Sequence, residues 1–187
     1  ESKMAVLGGE FAVMMLLCAG TSNTRGQCTY DWRPGEGKPG LSDVVNATTT
    51  WDPDGAGPQP EVLVAGGGFT STAGGVSAKG IASWDGTSWR PLGGGVNASV
   101  YALTVYNGEL IAGGAFTTAG GSNANRIARW TGTSWQPLGT GIGGVSPCVY
   151  ALTVYNGELI AGGAFTTAGG VNANCIARWD GTSWQPL

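Results

Sequence analysis

The chain has 187 residues, of which only 11% are charged, and its nine lysines and arginines form no run within a net charge of −3, so it offers nucleic acid no basic patch. It contains no histidine, which removes the commonest general base near neutral pH and the commonest transition-metal ligand. Glycine reaches 35 residues without a Gly-X-Y period, and eight tryptophans accompany it, which excludes collagen and low-complexity disorder and favours many short strands joined by tight turns.

The first element in chain order is the apolar run FAVMMLLCAG, from Phe11 to Gly20, with Met4 upstream and small polar residues after it. It has the length of a secretory h-region and is too short to span a bilayer, so the reading is a signal peptide over 1–27, cleaved between Gly20 and Gln27. MLLC, ending at Cys18, is a weak lipobox, because leucine stands where a small residue is wanted. Export would carry Cys28, Cys148 and Cys175 into an oxidising compartment. The next segment, 28–44, contains DWRP, which matches SWRP at 88–91. Trp32, Arg33 and Pro34 therefore read as an outer strand with no blade of its own, of the kind that completes the last blade of a closed ring.

From residue 45 the chain repeats. VYALTVYNGELIAGGAFTTAGG at 100–121 returns unchanged at 149–170, a period of 49, and a diverged copy precedes both: VLVAGGGFTSTAGG at 62–75 and IASWDGTSWRPLGGG at 81–95. Such a period belongs to propeller blades and a few other repeat architectures. Each copy parses into four strands. YALTVY and ELIAGGAF flank Asn107 and Gly108, the pair a type I′ hairpin turn prefers; RIARW and WQPL flank a TGTS or DGTS turn. Prolines 91, 137 and 186 cannot donate to a ladder, so the fourth strand belongs at the outer edge. The expected fold is all-β, with propeller blades of four antiparallel strands at 45–99, 100–148 and 149–187, the last cut before a further blade. Three blades are fewer than the four to eight that close a ring, which makes the chain either a fragment or a ring-sharing oligomer.

Candidate binding residues are the tryptophan pairs, Trp84 with Trp89, Trp130 with Trp135 and Trp179 with Trp184, once per blade. They serve either as sugar platforms or as wedges between blades, and strict repetition favours the wedge. Glu109 with Arg129, and Glu158 with Arg178, lie at the same end of neighbouring strands and read as ion pairs. Asp85 and Asp180 occupy a turn that Thr131 also occupies, which argues against acid–base work. The glycine doublets lack the GK[ST] ending and following helix of a phosphate loop and mark close backbone approach. Asp52, Asp54 and Glu61 sketch a calcium loop with too few ligands, so the segment reads as a plain turn and no metal or other cofactor is expected. Cys148 and Cys175 invite a disulfide, Cys28 with either is a second pairing, and free thiols are a third. Asn46 and Asn97 head N-glycosylation sequons.

Together the doublets Gly113-Gly114 and Gly162-Gly163, AFTTAGG, NANRIARW or NANCIARW, and DGTSW resemble kelch-like propellers, and more closely delta-60-type repeats and fungal cortical-marker-like surface repeats. The resemblance covers about three quarters of the chain. It implies a secreted or cell-surface propeller, non-catalytic, acting as a structural or interaction module with an unknown extracellular protein or glycan as partner. A carbohydrate-binding lectin that assembles as an oligomer is the alternative, and a fragment of a propeller enzyme the second. Among kelch-like propellers the galactose oxidase relatives hold copper through histidines, which this chain lacks.

Overall fold

The computed structural model describes residues 40–72 and 74–187, all of them strand, bend, turn or loop. The expected signal peptide and the outer strand expected at Trp32 to Pro34 lie outside the described residues.

Three four-stranded antiparallel sheets follow one another along the chain, each in simple sequential order from inner to outer strand. Blade 1 contains β1 (Val45–Trp51), β2 (Val62–Gly67), β3 (Ile81–Trp84) and β4 (Trp89–Pro91). Blade 2 contains β5 (Val100–Tyr106), β6 (Glu109–Gly114), β9 (Ile127–Trp130) and β10 (Trp135–Pro137), with the hairpin β7 (Thr118–Ala119) and β8 (Ser122–Asn123) between its second and third strands. After β11 (Ile142–Gly143), blade 3 contains β12 (Cys148–Tyr155), β13 (Glu158–Ala164), β16 (Ile176–Trp179) and β17 (Trp184–Pro186), with β14 (Thr167–Ala168) and β15 (Val171–Asn172) as its hairpin. The chain is thus an array of propeller blades, three of them among the described residues. Cys148 opens blade 3 instead of closing blade 2, a shift of one residue from the expected boundary.

Local chemistry sets these elements. Asn107 and Asn156 take φ of 51°, and Gly108 and Gly157 take 78° and 79°, so both central residues of each first hairpin turn lie in the left-handed region that a type I′ turn demands. The proline-bearing strands β4, β10 and β17 are indeed the sheet edges. In blade 1, Trp51 faces Val62 as Tyr106 faces Glu109, so residues 52–61 form a longer hairpin loop in place of the tight Asn-Gly turn.

A β-bulge recurs at the start of every first strand. Asn46, Tyr101 and Tyr150 are the extra residues, set between Val45 and Ala47, Val100 and Ala102, and Val149 and Ala151. Here the glycine doublets divide their labour. A Cβ on the second glycine, Gly67, Gly114 or Gly163, would fall 2.0 to 2.1 Å from the carbonyl oxygen of Val44, Ser99 or Cys148, so only glycine can sit against the bulge. A Cβ on the first glycine would meet the next blade instead, 2.6 Å from Val100 Cγ1 if placed on Gly66 and 2.5 Å from Val149 Cγ1 if placed on Gly113. The expected close backbone approach explains the second glycine of each pair, and side-chain seating explains the first in Gly66-Gly67 and Gly113-Gly114.

The hydrophobic cores lie between blades, because the period-two side chains of each sheet present one apolar face to each neighbouring blade. Trp51, Val64 and Ile81 of blade 1 pack with Val100, Leu110, Ala112 and Phe116 of blade 2. Ile111 and Ile127, on the other face of blade 2, pack with Val149, Leu159 and Phe165 of blade 3. Each such aliphatic side chain contributes about 1.5–3 kcal/mol when fully buried. The blades are also stitched in sequence: the segment leaving each fourth strand pairs with the next blade's small hairpin, through Val96 with Ala119 and Ile142 with Ala168. Leu41 pairs with Thr72 at the equivalent place in blade 1.

Candidate functional site

Position in the blade decides what the tryptophans do. Each pair sits directly across the third and fourth strands, as Trp130 opposite Trp135 and Trp179 opposite Trp184, with ring centroids 5.4 to 5.6 Å apart. Trp135 donates its indole N–H to the carbonyl of Leu92, 2.9 Å away in blade 1, and Trp184 donates to Leu138 in blade 2 at 3.1 Å. Trp135, Trp184 and Trp130 are buried; Trp84, Trp89 and Trp179 are half-buried. Trp135 and Trp184 thus join blade to blade, their apolar bodies packed and their N–H groups tied back to the preceding blade. Trp130 Nε1 is a buried donor without a partner among the described residues.

The acidic residues Asp85, Glu109, Glu158 and Asp180 are occupied. Glu109 accepts from Arg129 at 3.1 Å and Glu158 from Arg178 at 2.7 Å, the cross-strand pairs expected. Asp85 Oδ1 accepts from the backbone N–H of Thr87 and Ser88 and from the Thr87 hydroxyl, and Oδ2 takes Arg90 Nε at 2.7 Å. Those bonds, the Thr87 hydroxyl foremost, hold its carboxyl far below the usual range. Asp180 caps its own turn through Thr182 and Ser183, and the Ser183 N–H leads in depressing its pKa in the same way. Thr131 does the job more weakly with a hydroxyl, accepting from Ser134 N–H at 3.3 Å. In the blade 1 loop, Asp54 accepts from the Gln59 N–H at 3.2 Å. Among the described residues no group of three or more His, Cys, Asp or Glu side chains is arranged to hold a metal ion.

Cys148 and Cys175 carry free thiols. Cys148 pairs with Ala164 on one side of β13, while the Cys175 carbonyl accepts from Gly163 on its other side. Two strand spacings, about 9–10 Å, separate such positions, beyond the Cα distance of about 6.8 Å that a disulfide tolerates. Cys28 lies outside the described residues.

Two surface features escape a reading of the repeat as strands. The bulged residues line up along the inner strands: Asn46 donates to the Val100 carbonyl at 2.8 Å, and the Tyr101 and Tyr150 rings lie 5.5 Å apart. A hydrogen bond that the Tyr150 hydroxyl donates to the Cys148 side chain holds its phenol above the usual pKa. The clue in the sequence is the glycine doublet opposite the strand, which marks a bulge and thereby the residue it turns outward.

The second feature is a groove at each blade junction. One, of about 610 Å³, is lined by Phe69, Lys79, Gly95, Asn97, Ser99 and Thr118; the other, of about 350 Å³, by Asn125, Arg126, Thr140, Gly143, Pro147 and Thr167. Gly80, Arg126 and Cys175 hold one equivalent position, with φ of 72°, 74° and 65°, so two L-residues adopt a backbone that blade 1 gives to glycine. Arg126 is held there by its Nε, which donates to the Pro147 carbonyl at 2.9 Å. Both sequon asparagines are structural: Asn97 Oδ1 accepts from the Thr117 and Thr118 N–H groups while its amide donates to Thr117 Oγ1, and the Asn46 amide holds blade 2.

No helix among the described residues is long and apolar enough to cross a membrane. No curated protein matches the chain. A family described as a domain of unknown function (DUF5122) β-propeller matches residues 107–131 and 156–179, each stretch running from the first hairpin turn to the end of the third strand, and the chain is similar to that family in the repeat that builds its blades.

Proposed function

We propose that the chain is a secreted or cell-surface propeller module that works by binding or by structure, without catalysis. One observation carries this reading: the carboxylates of the repeats are spent on turns and cross-strand pairs, Asp85, Glu109, Glu158 and Asp180 alike, and they recur where the fold needs them. Catalytic acids and bases are set apart by environments that leave them near neutral pKa, whereas hydrogen bonds hold Asp85 and Asp180 ionised. What remains for a partner is the pair of junction grooves and the loops around them.

The test is expression of the full chain in a bacterial host, with N-terminal sequencing of the product and assays against hydrolase and oxidase substrate panels. The expected product begins between Gly20 and Gln27, leaves the cytoplasm and turns nothing over. An unprocessed cytoplasmic product, or turnover abolished by one substitution in a groove, overturns the proposal.

Carbohydrate binding is the second reading. It is favoured by Tyr150, whose ring is exposed beside Tyr101, because sugars stack on accessible aromatic faces. The half-buried Trp84, Trp89 and Trp179 offer less face than Tyr150. A glycan array probed with the full chain, and again with Tyr150→Ala, distinguishes the two readings.

A further inference from the structure

Two departures from the repeat meet at the junction of blades 2 and 3. Blades 1 and 3 hold Gly80 and Cys175 where blade 2 holds Arg126. The loop facing that position has changed too: Val100 follows Leu92 by eight positions, but Val149 follows Leu138 by eleven, so the connection between blades 2 and 3 carries three extra residues. Ser146, with φ of 50°, and Pro147 belong to the longer loop, and the Pro147 carbonyl accepts from Arg126 Nε at 2.9 Å. In a chain built of copies, residues that break the copy together and touch one another mark a junction with a task of its own.

The arginine is held in advance of any ligand. Asn125 and Arg126 take φ of 36° and 74°, left-handed conformations that L-residues seldom adopt, and strain of this kind collects at functional sites. Backbone bonds fix it there: the Arg126 N–H donates to the Phe116 carbonyl at 2.7 Å, and the Arg126 carbonyl accepts from the Gly114 N–H at 2.9 Å. Its half-buried side chain is pinned through Nε, and its Nη groups have no hydrogen-bond partner among the described residues, whereas Arg90, Arg129 and Arg178 each pair with a carboxylate. Arg126 lines the groove of about 350 Å³ together with Asn125, Thr140 and Thr167, and no Asp or Glu stands in the wall. The Asn125 amide donates to the Thr140 carbonyl at 2.9 Å, which leaves its Oδ1 to accept.

We propose that Arg126 anchors a carboxylate-bearing sugar, free or as one unit of an acidic polymer, in this groove; the assignment rests on the binding role proposed above. The two Nη groups end a planar fork that matches the two oxygens of a carboxylate, and the Pro147 carbonyl sets its plane beforehand. The hydroxyls of Thr140 and Thr167 and the Asn125 Oδ1 meet the hydroxyls of a sugar ring. At about 350 Å³ the groove lies at the small end of the range of roughly 300–1,000 Å³ for ligand pockets, which suits a single sugar unit. The groove between blades 1 and 2 has Gly80 in place of Arg126 and offers no such fork.

The experiment is an NMR titration of the ¹⁵N-labelled full chain with galacturonate, glucuronate, a galacturonate trimer, and the uncharged galactose and glucose, reading the Arg126 Nε–H and the backbone amides of the groove. The wild type is expected to saturate with the acids and not with the uncharged sugars. A trimer that binds as well as the monomer identifies a polymer unit, and monomer binding alone a free sugar acid. Arg126→Gly should weaken binding by about tenfold or more, as loss of a charge-assisted bidentate pair does, and it folds because Gly80 holds the same place with φ of 72°. Arg126→Lys keeps the charge without the fork and should also bind more weakly, while Arg129→Gln removes a like charge from an ion pair elsewhere and should bind as the wild type does. Thermal melts verify that all three fold. No saturable binding of any acid, equal binding of the uncharged sugars, full binding by either Arg126 variant, or an equal loss in Arg129→Gln overturns the proposal and leaves the module reading standing. Consumption of a sugar acid overturns that non-catalytic reading and the proposal with it.

Discussion

Blades 2 and 3 begin with the same twenty-two residues, 100–121 and 149–170, yet the copies lie in different surroundings. Blade 2 is packed on both faces and blade 3 on one. Tyr106 is buried and Tyr155 exposed; Ile127 is buried and Ile176 exposed. Propensity, turn chemistry and strand register are shared between the copies, so whatever differs between them measures the contribution of the neighbouring blade. A repeat protein of this kind has stability that is roughly a sum of unit and interface terms, and this pair separates the two.

Paired substitutions exploit that separation. The largest contrast is expected for Ile127→Ala against Ile176→Ala: about 2–5 kcal/mol lost in blade 2, where a cavity is left, and under about 1 kcal/mol in blade 3. Urea titration of dilute protein reads both values, and equal losses would mean that blade 3 is covered in solution. Gly113→Ala against Gly162→Ala comes next. The first puts a methyl 2.5 Å from Val149 Cγ1 and should cost about 1–3 kcal/mol, as overpacking does; the second should lie within about 0.5 kcal/mol of wild type. The same titration checks it, and a costly Gly162→Ala would show that the strand itself requires glycine there.

Glu109→Gln and Glu158→Gln should have small and equal effects, each about 0–1 kcal/mol and reduced by salt, because both ion pairs are partly solvated. A large difference between them would move the contrast from apolar packing to electrostatics. The smallest effect compares blades 1 and 3 with blade 2 under acid. Asp85 and Asp180 have folded-state pKa values depressed below those of the unfolded chain, so their contribution is present above the unfolded value of about 3.9 and declines as the pH falls below it. Thr131 carries no such dependence. Melting temperatures followed downward from about pH 5 should fall less for the double variant Asp85→Asn, Asp180→Asn than for wild type.

Much of this arrangement can be read in the residues because it is local. The Asn-Gly turns and the edge prolines each rest on a few neighbouring positions, and each stands where the pattern puts it. The ion pairs follow from strand register. Other features need the third dimension. Nothing within GG distinguishes a glycine that seats a bulge from one that receives the next blade's valine, since the second role depends on a residue 34 to 36 positions later, as Val100 and Val149 are from Gly66 and Gly113. The exposure of Tyr155 is illegible for a similar reason: its sequence surroundings are those of Tyr106. Cys148 and Cys175 look close on paper because one precedes the first strand and the other opens the third, yet β13 lies between them.

The indole hydrogen bonds have a mechanical consequence. Among the described residues, two of them cross the junction between blades 1 and 2, Trp51 to Gly108 and Trp135 to Leu92, while Trp184 to Leu138 alone crosses the next. Under a pulling force, or in spontaneous opening at the level of whole sheets, the array should peel from its C-terminal side. Blade 3 would detach first and leave the doubly fastened pair as the last element to yield.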